Sequence, residues 1–106
     1  MKNFKGIYAA TIVPLKKDKS IDKHYLNKHL KQIINTKGIK GLLINGHAGE
    51  NFTLSESEQV EVIKIAKKNK TKNTLLVSGL NFEDPIKASK IAINMQNAGA
   101  DAIMIF

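Results

Sequence analysis

A chain of 106 residues with no cysteine has no disulfide framework, thiol nucleophile or cysteine–metal site, which suits a cytosolic protein. Its net charge of +8 raises the question of nucleic acid, but all 17 basic residues are lysine and no aromatic platform is interleaved with them; base-edge readout and bidentate phosphate recognition favour the arginine fork. No apolar run approaches the roughly 20 residues of a membrane span, and Lys2 and Lys5 flank Phe4 where a signal peptide would need an apolar core.

In chain order, residues 7–13 form a short apolar run rich in β-branched side chains and ended by Pro14, the first predicted strand. After a polar loop, Asp22 is placed to cap a helix over 22–36, in which Leu26, Leu30, Ile33 and Ile34 recur on one face. Gly38 is placed to terminate it as the residue after the cap. The second strand spans 41–45 and the second helix 55–68, with Gln59, Val62, Ile63 and Ala66 on one face and Val60 widening that stripe. The third strand covers 74–78 and is closed by Gly79. Asp84-Pro85 then reads as an N-cap followed by proline at the first helical position, and the helix it opens buries Ala88, Ile91, Ala92 and Met95 and stops at Gly99. Residues 102–106 make the fourth strand. Alternating strands and helices with short connections imply an α/β fold, β1-α1-β2-α2-β3-α3-β4, whose strands are parallel and whose crossovers are right-handed. Periodicity leaves open whether that sheet is an open one or an arc of a barrel.

The stretch that carries chemistry lies between β2 and α2. Gly46 and Gly49 bracket a turn at the carboxyl end of a buried parallel strand, where α/β enzymes bind ligands and where backbone N–H groups can converge on an anion. Two overlapping frames, Thr53-x-x-Glu56 and Ser55-x-x-Glu58, signal the following helix. Around this turn, Gly46-x-x-Gly49-Glu50 followed by Thr53-Leu54 and acidic residues resembles the Gly-Thr-Thr-Gly-Glu signature of the dihydrodipicolinate synthase / N-acetylneuraminate lyase family. Gly6, Val13-Pro14-Leu15, Val77-Ser78-Gly79-Leu80 and Ala98-Gly99-Ala100-Asp101-Ala102 extend the resemblance over nearly the whole chain.

The resemblance implies an arc of a (β/α)8 TIM barrel, with residues 1–106 forming one incomplete domain, because a complete barrel takes ~250 residues. It also implies a class I pyruvate-type lyase or aldolase. In that family a lysine on a later strand forms a Schiff base with the keto carbon, a tyrosine on another later strand shuttles protons, and the turn after β2 holds the substrate carboxylate. Only the turn falls within this chain, so the 106 residues alone are expected to be inactive. Carried over, Gly46, His47, Ala48, Gly49 and Glu50 form the substrate-binding turn. His47 replaces the hydroxyl of the proton relay with an imidazole, which also carries protons near neutral pH; Ala48 has no hydroxyl. Dihydrodipicolinate synthesis itself is therefore one option beside another keto-acid lyase, dehydratase or aldolase.

Bland roles stand beside these. His47 could be a strand-end histidine bonded to nearby backbone, and Glu50 could tie the turn together by accepting backbone N–H bonds. Val13 is expected to pack, Ser78 and Gly79 to face the same barrel end, and His24 and His29 to lie on the surface. No cofactor is implied, and His47 with Glu50 supplies two metal ligands at most. The expected partner is a small 2-keto acid such as pyruvate, together with other subunits of a homo-oligomer or a C-terminal half. The alternatives are a non-catalytic half-barrel that pairs with another chain and, less favoured by the all-lysine basicity, a nucleic-acid binder.

Overall fold

The computed structural model describes residues 2–81 and 83–106. Its strands β1 (Ile7–Ala10), β2 (Ile39–Ile44), β3 (Leu75–Leu80) and β4 (Ala102–Ile105) lie in the order β1-β2-β3-β4 and are parallel throughout. The helices α1 (Lys23–Ile34), α2 (Glu56–Asn69) and α3 (Pro85–Ala98) connect them. Each crossover sets the next strand beside the last, and the register runs across the sheet from Ala9 to Leu42 to Leu76.

Alternation along the strands sends one set of side chains toward the helices and the other to the opposite face. Leu42, Ile44, Leu76 and Leu80 are buried with Leu26, Leu30 and Ile34 of α1, Val62, Ile63 and Ala66 of α2, and Ala88 and Met95 of α3, making one continuous core between sheet and helices. The opposite face carries Tyr8, Ala10, Leu43, Val77 and Met104, which with Phe4 line an open apolar cavity of about 280 Å³. Helices therefore cover one face only, as in an arc of a barrel and unlike a doubly wound sheet.

The helix ends follow their caps. The Asp22 carboxylate accepts from the Tyr25 N–H, that of Asp84 accepts from Ile86 with Pro85 entering the first turn, and Gly99 at φ 127° closes α3. At α2 the Ser55-x-x-Glu58 frame forms a complete capping box, whereas the Thr53 hydroxyl turns back to the Glu50 carbonyl. Several sequence expectations need correction. α1 ends at the Asn35 cap rather than at Gly38, which sits beyond it in the turn to β2 at φ 94°. β1 stops at Ala10, although the Thr11 N–H still donates to the Leu43 carbonyl, and further on Leu15 and Ile21 form an isolated antiparallel bridge. β2 begins at Ile39. Gly79 lies within β3 instead of closing it. His24 is exposed, but His29 is half-buried, and its Nε2 has no hydrogen-bond partner among the described residues. Among the described residues no helix is long and apolar enough to cross a membrane.

Candidate functional site

The candidate site starts where β2 ends. Asn45 adopts the left-handed conformation at φ 55°, which asparagine tolerates better than most residues, and this swings the chain out of the strand. Its buried side chain then anchors the turn: Nδ2 donates to the Gln59 carbonyl at 3.0 Å and to the Ser78 hydroxyl at 3.1 Å. Gln59 returns the connection, its Nε2 donating to the carbonyls of Asn51 at 2.9 Å and Leu54 at 3.3 Å. A buried polar network of this kind resists rearrangement because each broken bond would leave a desolvated group unpaired.

Held this way, the chain makes two single-turn 3₁₀ helices, His47–Gly49 and Asn51–Thr53, in place of one tight turn. The Gly46 carbonyl accepts from the N–H groups of Gly49 and Asn51 at 3.1 and 3.3 Å, and the His47 carbonyl accepts from Glu50 at 3.0 Å. The N–H groups of His47 and Ala48 find no partner among the described residues. They stand next to each other beyond the carboxyl end of a central strand. An adjacent pair of unpaired N–H groups is suited to an anionic oxygen.

Among the residues around the pair, Glu50 and Ser78 depart from expectation and the two glycines play different parts. Gly46 is extended, at φ −92° and ψ −172°, a conformation open to any residue. Gly49 is crowded: a Cβ there would stand 3.1 Å from the Thr11 carbonyl oxygen, a tight contact, and 3.5 Å from Val13 Cγ2. Glu50 braces the turn through its backbone, taking the left-handed conformation at φ 50° while its carbonyl accepts from the Thr53 N–H and hydroxyl. Its carboxylate is exposed and makes no hydrogen bond among the described residues. Val13 packs against the core, as expected. Ser78 is buried on the helix side, its hydroxyl 3.2 Å from the Gly79 carbonyl and 3.5 Å from Met95 Sδ, so it supports the turn from beneath instead of facing the barrel mouth.

The exposed His47 ring stacks on Phe106 with 4.3 Å between centroids and 25° between planes. Gly79 makes room for this, since a Cβ there would lie 2.5 Å from Phe106 Cε2 and 2.2 Å from the Asn45 carbonyl oxygen. Sequence reasoning missed Asn45, Asn51, Gln59, Thr11 and Phe106. Asn45-Gly46 at a strand end is a legible signal for a left-handed turn, but the stack joins residues with no sequence relation. Thr11 Oγ1, Asn45 Oδ1 and both amide atoms of Asn51 are buried without a partner among the described residues, so unpaired polar groups concentrate on segments bordering the turn. Among the described residues there is no group of three or more His, Asp or Glu able to hold a metal ion.

Comparison with known proteins places the chain in a family. A model of the dihydrodipicolinate synthetase family matches residues 3–106. CdNal from Clostridium difficile, solved in complex with mannosamine, is 29% identical and superimposes with a TM-score of 0.88 over 98% of this chain and 36% of that one. Dihydrodipicolinate synthase from Bacillus clausii is also 29% identical, with a TM-score of 0.85 over 94% of this chain and 33% of its own. N-acetylneuraminate lyase from Mycoplasma synoviae shares the fold at 22% identity and a TM-score of 0.84, over 96% of this chain and 35% of that one. The chain spans about a third of the length of these structures. It belongs to the dihydrodipicolinate synthetase family, and its fold is part of a TIM-barrel-like α/β architecture.

Proposed function

We propose that this member of the family supplies the substrate-carboxylate grip of a Schiff-base lyase or aldolase acting on pyruvate or a related 2-keto acid. The observation that carries the reading is the adjacent pair of backbone N–H groups, His47 and Ala48, at the Gly46–Glu50 turn, which have no partner among the described residues. One carboxylate oxygen accepts from this pair, which leaves the keto carbon turned toward the barrel axis. The amine that attacks it, and the tyrosine that shuttles protons, come from later strands of the barrel, as the family resemblance implies. His47 takes the place of the relay hydroxyl: its ring lies beside the bound carboxylate and passes protons to and from the reacting centre. Ala48 contributes its N–H and no side-chain chemistry.

Residues 1–106 form, in this reading, one incomplete domain of the barrel. Two structural features support it: the outer edges of β1 and β4 lack strand neighbours among the described residues, and the face lined by Tyr8, Leu43, Val77 and Met104 is apolar. Further strands of the barrel cover that face, and the assembled enzyme is a homo-oligomer.

The test is His47→Ala in the complete enzyme. The backbone N–H groups survive this substitution, so 2-keto acid binding by calorimetry stays within a few-fold while proton-transfer steps slow by ~10²–10⁴. His47→Thr recovers part of the rate. An unchanged kcat accompanied by weaker folding would make His47 structural and end this assignment.

A further inference from the structure

We propose that Phe106 is a positioning residue that holds the His47 imidazole in one orientation above the turn. The inference rests on the reading of His47 as the proton carrier, and it begins from what does and does not restrain that ring. Neither ring nitrogen of His47 makes a hydrogen bond among the described residues, and the side chain is exposed. An exposed histidine without a hydrogen-bond anchor exchanges among rotamers, and each excursion takes its nitrogens away from the reacting centre. Phe106 supplies the restraint. Its ring lies nearly parallel to the imidazole at 4.3 Å, close enough to cover one face.

Phe106 is partly exposed, at 41%, but its backbone is held by the sheet. Its N–H donates to the Leu80 carbonyl at 3.2 Å, which continues the β3–β4 pairing to the end of the sheet. The ring then enters the space that Gly79 leaves open. A Cβ at Gly79 would collide with Cε2 at 2.5 Å, whereas one at Gly46 would only make ordinary contact with Cζ at 3.9 Å. The sheet thus sets the backbone of Phe106, Gly79 admits its ring, and the ring sets the imidazole. Stacking engages the face of the imidazole and leaves its edge, where both nitrogens lie, open to a ligand on the turn. A side chain that hydrogen-bonded His47 from the same place would occupy one of those nitrogens.

A stacked aromatic pair favours one arrangement by roughly two- to tenfold over unstacked ones. In the complete enzyme, Phe106→Leu is therefore expected to lower kcat by about that factor with KM nearly unchanged, because the backbone N–H pair is untouched. Phe106→Tyr keeps the ring and restores the rate. In a His47→Ala background Phe106→Leu should cost nothing further, since a positioning residue has nothing left to position. Independently of activity, the His47 Hα–Hβ couplings in NMR spectra should report a single χ1 rotamer in the native protein and averaged rotamers in Phe106→Leu. Couplings that do not respond to Phe106→Leu would overturn the proposal, as would an equal rate loss in the native and His47→Ala backgrounds. A protein that turns over no 2-keto acid, yet whose His47 couplings respond to Phe106, would remove the proposed function and leave the positioning intact.

Discussion

Gly49 offers the sharpest test of how the turn is built, because two physical reasons for a glycine predict different outcomes there. Its φ is not positive, so a side chain meets no conformational penalty, and the obstacle is the neighbouring backbone. A Cβ would stand 3.1 Å from the Thr11 carbonyl oxygen, about 0.3 Å inside ordinary contact, and Thr11 is tied to β2 by its N–H bond to the Leu43 carbonyl. A shift of a few tenths of an ångström accommodates alanine, so Gly49→Ala should cost no more than ~1 kcal/mol. Valine adds two methyl groups between Thr11 and Val13, whose Cγ2 is already 3.5 Å from the Cβ position. Overpacking on that scale costs ~1–3 kcal/mol and displaces the His47 and Ala48 N–H groups. Urea unfolding of the complete protein measures the first effect. Calorimetric titration with pyruvate measures the second, where loss of charge-assisted hydrogen bonds should weaken binding at least ~10-fold. If alanine proved as damaging as valine, crowding would be the wrong explanation. If Gly49→Val lost stability but bound pyruvate normally, the turn would not be the carboxylate grip.

Asp101 links the starts of β3 and β4: its Oδ2 accepts from the Leu76 N–H at 2.8 Å, and its Oδ1 pairs with the Lys2 ammonium. Burial opposes ionisation of this carboxyl, but the Lys2 ammonium and the Leu76 N–H outweigh it and hold its pKa below the ordinary carboxylate value. A lowered folded-state pKa means that the carboxylate stabilises the protein above the unfolded value near ~4, and that this contribution disappears as pH falls through the folded one. Asp101→Asn should therefore cost roughly 1.5–3 kcal/mol at pH 7, and urea midpoints of variant and native should converge in acid; a gap of equal size at pH 7 and pH 3 would refute the linkage. Residues 1–106 alone, incubated with pyruvate and borohydride, should show scattered trace labelling by mass spectrometry, because Schiff-base catalysis needs a desolvated, activated lysine. A stoichiometric adduct on one lysine would contradict that expectation.

Much of this molecule is written locally in its sequence. The stripe Leu26, Leu30, Ile33, Ile34 marks the buried face of α1, Ser55 and Glu58 make the capping box that starts α2, Asp84-Pro85 starts α3, and Gly99 ends it. These signals act within a few residues, through side-chain periodicity and through hydrogen bonds to the nearest free backbone groups, so they are legible without the fold. Alternation of strands and helices makes the sheet parallel and places the Gly46–Glu50 turn at the carboxyl end of β2, whereas the order β1-β2-β3-β4 was implied by the family resemblance and not by periodicity. What the turn looks like was decided by tertiary contacts. Asn45 reaches Ser78 across 33 residues, Thr11 passes close beside Gly49, and Gly79 has no room for a side chain because the Asn45 carbonyl and the Phe106 ring crowd it. Glu50 holds the turn with its carbonyl and not its carboxylate, and His47 rests on a ring from the end of β4. Periodicity reports which face of an element is buried; it carries no record of which distant backbone or ring will come within van der Waals contact, and that proximity is what shapes this site.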